Sequence, residues 1–134
     1  MKVDKEKIMA KAEALRARTD IHFNCAQSVL VPFAEAIGLT EEAAFAIAAH
    51  FGSGMRMGAT CGAVAGGLMV LGAAGLDDPS VAAAFTKKIR ENHGGLLDCR
   101  DLLRVNAEKG GEKKPHCDAM VYESVALVAD LLNA

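Results

Sequence analysis

Met57 to Leu76 reads MGATCGAVAGGLMVLGAAGL, 20 consecutive residues without a charged side chain. Such a run is long enough to cross a bilayer. Six glycines and the polar Thr60 and Cys61 fall inside it, which disfavours a lipid-facing helix. The expected structure is therefore a Gly/Ala-rich central helix, apolar all round because other helices enclose it. Gly62 and Gly66, four positions apart, would let a second backbone come close. The preceding segment, Gly52 to Thr60, has three glycines and reads as a loop. Its Gly52-x-Gly54 start follows no expected strand, so a dinucleotide-binding loop lacks its structural context.

Helix signals lie on both sides of this run. Asp4 is an N-cap candidate for a helix from about Val3 to Arg18, with Ile8, Met9, Ala12 and Leu15 on one face. Asn24 caps a second, which carries Cys25, Val29 and Phe33, contains Pro32 as a potential kink and stops at Gly38. Thr40 caps a third, ending near Phe51. Asp78-Pro79 opens another through Phe85 and Ile89, stopped by Gly94-Gly95. A short helix is expected to hold Leu96, Leu97, Cys99, Leu102 and Leu103. Glu108 to Pro115 reads as an exposed loop, and Cys117 to about Leu132 as the last helix. With 25 alanines, six aromatic residues and no convincing strand, the fold class is all-α. The expectation is a single-domain bundle of about six to seven helices over residues 1–134.

A chain of 134 residues can bury roughly two-thirds of its unfolded surface without covalent staples. A formal net charge of −2, with scattered basic residues, argues against nucleic-acid binding. The charged N-terminal stretch is unlike a signal peptide, so a cytoplasmic location is expected. In a reducing compartment, four cysteines point to metal, cluster or redox chemistry rather than structural disulfides. The high apolar content leaves surface for a homodimer interface.

Cys25, Cys61, Cys99 and Cys117 stand alone, without a Cys-x-x-Cys pair. That excludes the local signatures of zinc ribbons, thioredoxin-like sites and c-type haem attachment. If the four act together, the fold must gather them from separate helices. Cys25, Cys61 and Cys117 fall at expected helix starts, where free N–H groups and the helix dipole favour a thiolate. Cys99, on the face with Leu96 and Leu103, also reads as a small buried hydrophobe. His116 stands beside Cys117 as a further ligand, a proton donor or a solvated loop residue. His93 suits a helix C-terminus, and His22 and His50 have no ligand spacing. Met55 and Met57 read as gap-fillers before haem or copper ligands.

One Cys, a Cys-Gly-Ala-x-x-Gly segment and two further single Cys appear here as Cys25, Cys61-Gly62-Ala63-Val64-Ala65-Gly66, Cys99 and Cys117. In this the chain resembles the C-GCAxxG-C-C family of redox proteins over nearly its whole length. The resemblance implies a helical redox-active or metal-binding protein. A similar domain accompanies haems in split-Soret cytochromes. No Cys-x-x-Cys-His is present, so only the four-thiolate iron–sulfur site of that comparison carries over.

The leading expectation is a [2Fe–2S]-type cluster held by Cys25, Cys61, Cys99 and Cys117 and used to pass electrons to an unidentified redox partner. Two others stand beside it. The same cysteines could cycle between thiol and disulfide, or hold zinc as a structural Zn(Cys)4 site.

Overall fold

Single side chains begin four of the helices. In the computed structural model, which describes residues 1–134, the Asp4 carboxylate accepts the Lys7 N–H, the Asn24 amide oxygen that of Gln27, the Thr40 hydroxyl that of Ala43, and the Asp78 carboxylate that of Ser80. Each satisfies a backbone donor that the helix itself cannot. The resulting order is α1 (Lys5–Ala17), α2 (Cys25–Phe33), α3 (Glu41–Ile47), a wide turn (Gly54–Gly58), α4 (Gly62–Ala73), α5 (Pro79–Asn92), α6 (Cys99–Glu108) and α7 (Lys113–Asn133). That makes seven α-helices and one short turn of helix, with no strand beyond an isolated antiparallel bridge between Thr60 and Asp98.

Two helices end sooner than expected. Regular α2 stops at Phe33, one residue after Pro32, whose missing N–H removes a rung of the ladder; turns then carry the chain to Gly38 at φ +78°. α3 stops at Ile47, where the Asn24 Nδ2 donates to the carbonyls of Ala48 and Ala49 at 3.2 Å each. Asn24 thus starts one helix and finishes another. It also belongs to a capping box, with the Gln27 side chain accepting the Asn24 N–H at 2.9 Å.

α4 packs on α2, α7 and α5, and the glycine spacing sets how closely. A Cβ built on Gly62 would lie 2.7 Å from the Phe51 carbonyl oxygen, and one on Gly66 would lie 2.8 Å from that of Ala26. α4 buries Ala63, Val64, Val70 and Leu71, but Gly72 and Ala73 at its far end are exposed, so it is not enclosed along its length. At 12 residues it spans ~18 Å. No helix of the chain is long and apolar enough to cross a membrane.

The core gathers Leu30 and Phe33 of α2, Val64, Val70 and Leu71 of α4, Phe85 and Ile89 of α5, and Met120, Val121, Val125 and Val128 of α7 into one cluster. The buried Ser124 hydroxyl donates to the Ala63 carbonyl at 2.7 Å, so its burial leaves no polar group unpaired. α1 lies across α2 and α7. The ends of the chain meet where Asn133 exchanges hydrogen bonds with Val3, at 2.7 and 3.0 Å.

Candidate redox site

All four cysteines line one cavity of about 90 Å³, together with Arg16, His22, Asn24, Ser53, Lys113 and His116 among others. They arrive by different routes. Cys25 is the first residue of α2, Cys61 the N-cap of α4 and Cys99 the first residue of α6. Three of the four do stand at helix starts, but Cys99 belongs to that set and Cys117 does not.

Cys117 lies in the second turn of α7, because α7 begins at Lys113, inside the segment expected to be loop. Pro115 does not prevent this, since a first-turn residue has no intrahelical partner for its missing N–H. α6, conversely, starts only at Cys99 and excludes Leu96 and Leu97. The Cys61 N–H donates to the Leu97 carbonyl at 2.8 Å and the Cys99 N–H to that of Ala59 at 2.6 Å. This two-bond clasp keeps Leu97 extended and sets Cys61 and Cys99 on neighbouring strands of chain.

The glycine-rich approach to Cys61 has an unusual backbone. Ser53, Gly54, Met55 and Arg56 all have φ between 53° and 60°. Three are not glycine, and left-handed geometry costs such residues about 1–2 kcal/mol each. The turn is held by Ala59 N–H to the Gly54 carbonyl at 2.9 Å, and by Arg56 donating to His50 Nδ1 at 3.0 Å and to the Ala49 carbonyl at 3.3 Å. Ser53 thereby reaches the cavity. Met55 and Met57 do not line it, and Met57 is 68% exposed rather than filling a gap.

The thiols are free and chemically unequal. Cys25 and Cys117 are close enough that their ionisations are linked: sharing of a proton between the two thiols pushes Cys25 up while pulling Cys117 down to about 7, with Arg16 and Lys113 adding to the second effect. One proton therefore leaves the pair easily and the other is held. Burial pushes Cys61 up to about 11, against the opposing pull of the nearby Ala63 and Val64 N–H groups, and burial also raises Cys99. A helix start thus does not make these thiols acidic; desolvation outweighs the dipole for Cys61. The one acidic thiol is Cys117, which the Cys25 thiol supports first and Arg16 and Lys113 second.

Cys117 also lines a second, wider cleft of about 300 Å³ with Arg16, Arg18, His22, Lys113 and Lys114. His116 lines the sulfur cavity itself, and burial and His93 lower its basicity. His93 ends α5 and meets Glu123, with Nε2 2.6 Å from Oε1.

Arg16, Lys113 and His22 were not among the residues expected at the site. The signal for Arg16 was present: it continues the Ile8, Ala12 stripe at the next i+4 position, so a charged residue falls on the buried face of α1. Across all side chains, no three His, Cys, Asp or Glu groups gather tightly enough to hold a single metal ion.

Fold and site together define an all-α protein that brings four unpaired thiols to one cavity. The chain belongs to the family described as "Putative redox-active protein (C_GCAxxG_C_C)", whose pattern matches residues 23–131. No curated protein and no solved structure matches the chain.

Proposed function

We propose that this is an electron-transfer protein whose single redox centre is an iron–sulfur cluster of the [2Fe–2S] type, with Cys25, Cys61, Cys99 and Cys117 as its ligands. The observation that carries the reading is that four free thiols from four helices line one small cavity. The donor set suits the group. Four thiolates meet the ligand count of such a cluster. The Cys61 sulfur stands at the start of α4 near the Ala63 N–H, which would donate to an anionic sulfur there. A cluster held there would supply a one-electron couple.

The chain's own contribution is to exclude water from Cys61, to fix Cys61 beside Cys99 through the backbone clasp, and to present cations at Cys117. A structural zinc site is less well supported. Tetrahedral zinc, with zinc–sulfur bonds of about 2.3 Å, needs all four sulfurs mutually within ~3.8 Å. No such group of three is present. A two-iron centre would instead take its four thiolates as two pairs, and the neighbouring Cys25 and Cys117 would supply one of them.

That same contact favours a second reading, in which Cys25 and Cys117 cycle between dithiol and disulfide. It supplies both a thiolate near neutral pH and an adjacent partner thiol. Anaerobic purification with iron and sulfide assay and a visible spectrum separates the two. About two irons and two sulfides per chain support the cluster. A colourless protein that resists reconstitution and instead forms a Cys25–Cys117 disulfide under mild oxidant overturns it in favour of exchange.

A further inference from the structure

A guanidinium sits at the sulfur cavity with its side chain only 8% exposed. It belongs to Arg16 in the last turn of α1, outside residues 23–131 that carry the family pattern. A buried cation is costly unless it is paired and hydrogen-bonded. Arg16 is secured on two sides: Nε donates to Asp118 Oδ1 at 2.6 Å and Nη1 to the Phe23 carbonyl at 2.9 Å. Lys114 closes the same corner, donating to the Arg16 carbonyl at 2.9 Å and to Asp118 Oδ2 at 3.1 Å.

No protein acceptor takes Nη2. No buried side-chain nitrogen lacks a partner, so Nη2 is not sealed off, and Arg16 lines both cavities. Both cavities contain Cys117, and the smaller contains Cys25. An arginine that only tied α1 to α7 could do so from the protein surface, as Lys5 does with Asp130. Arg16 is instead carried inward on the buried stripe, against the sulfurs.

We propose that Arg16 is the positioning residue that fixes the charge of the four-cysteine centre: a permanent buried cation against which its anionic sulfurs, and the added negative charge of its reduced state, are stabilised. The inference rests on the reading of the four cysteines as a redox centre. It adds that α1, beyond the family pattern, completes that centre. The step concerned is a one-electron reduction, in which a low-potential donor loses one electron, the centre gains it, and no bond to Arg16 forms or breaks. Asp118 sets how much of the cation is left over, since its carboxylate offsets part of the guanidinium charge.

Burial alone would lower the basicity of Arg16. The hydrogen bond to Asp118 and the charges of Cys25, Asp118 and Cys117 reverse this, which agrees with its placement facing two of the sulfurs.

The test uses the full chain as wild type, Arg16→Gln, Arg16→Lys and Asp118→Asn. The first readout needs no cluster. In metal-free reduced protein, Cys117 is alkylated at one pH with anionic iodoacetate and with neutral iodoacetamide, and the two rates are compared by peptide mass spectrometry. Both reagents attack the same thiolate, so their ratio reports the local potential. Arg16→Gln is expected to lower the iodoacetate-to-iodoacetamide ratio several-fold, Arg16→Lys to keep it within about twofold, and Asp118→Asn to raise it.

The second readout is the midpoint potential of the reconstituted centre in a dithionite titration. Arg16→Gln should move it negative by about a tenfold change in the reduction equilibrium, ~59 mV for one electron, and Asp118→Asn should move it positive. Loss of packing alone would not drive these two variants in opposite directions. Equal ratios in wild type and Arg16→Gln, or shifts of the same sign in Arg16→Gln and Asp118→Asn, overturn the proposal. Should Arg16→Gln fail to fold, the ratio in Asp118→Asn decides: a rise supports the proposal and anything else overturns it. If no cluster can be loaded, the cluster reading falls while the alkylation ratio still judges Arg16.

Discussion

A side-chain carbon on Gly66 would stand 2.8 Å from the carbonyl oxygen of Ala26, closer than real Cβ contacts come, so α4 can lie on α2 only with glycine there. One turn earlier, a Cβ on Gly62 would meet the Phe51 carbonyl at 2.7 Å and Cys25 Cβ at 3.3 Å. The two glycines of the Cys61-Gly62-Ala63-Val64-Ala65-Gly66 segment therefore bring the start of α4 against the start of α2. The same approach places Cys61 and Cys25 on one cavity.

Gly66→Ala is accordingly expected to destabilise the fold by about 1–3 kcal/mol, the usual cost of overpacking a tight interface. Gly72→Ala, six residues along the same helix with nothing within 4 Å of the added carbon, should be neutral or stabilising by up to ~1 kcal/mol. Urea unfolding of the two variants tests the pair. Similar behaviour would mean that helix propensity, not contact with Ala26, governs these glycines.

Reactivity in the metal-free protein should be sharply unequal. Cys117, held down to about 7, is expected to react with iodoacetamide in a pH profile centred near neutrality. Cys61, pushed up to about 11 by burial, should stay silent across that range. The sign follows from the proton: Cys117 is protonated and slow below 7, ionised and fast above. Cys25→Ala removes the neighbouring thiol that supports the Cys117 thiolate, so the profile is expected to move to higher pH and the rate at pH 7 to fall. An unchanged profile in that variant would deny the thiol–thiol contact.

Asn24 is expected to matter for the site as well as the fold. It caps α2 at the residue before Cys25, and its amide nitrogen ends α3. Asn24→Ala should cost about 1–2 kcal/mol, the range for losing an N-cap side chain. It should also raise the alkylation rate of Cys25 as the first turn of α2 frays. Denaturation and peptide mapping check the two effects separately.

How far the sequence could reveal this arrangement depended on the range of the interactions involved. Asp4, Asn24, Thr40 and Asp78 all act as caps at the expected places, because a cap is decided by a side chain and the backbone two or three residues on. The close approach at Gly62 and Gly66 was legible from spacing alone. The starts of α6 and α7 were not. Leu96 and Leu97 look helical until the 59–61 segment takes the Leu97 carbonyl, and Lys113 to Pro115 looks like loop but forms the first turn of α7, four residues before the expected start at Cys117.

Cys25 and Cys61 are less acidic than a helix start implies for the same reason, whereas Cys117 is as acidic as expected but from another cause. A helix start is visible in sequence, whereas the burial that outweighs it at Cys61, and the arginine that reinforces Cys117 from 101 residues away, are products of the tertiary fold.

The claim that the four cysteines form one centre is tested most directly by protection of Cys99, the cysteine whose helix start and backbone clasp are independent of the Cys25–Cys117 contact. Anaerobically purified protein is alkylated under native conditions with and without prior iron removal, and each cysteine is quantified by mass spectrometry. Cys99 is expected to be protected together with Cys117 while iron is bound, and both are expected to react faster when it is removed, Cys117 more than Cys99. Cys99 reacting at the same rate in both samples, while Cys117 changes, would contradict a four-cysteine centre.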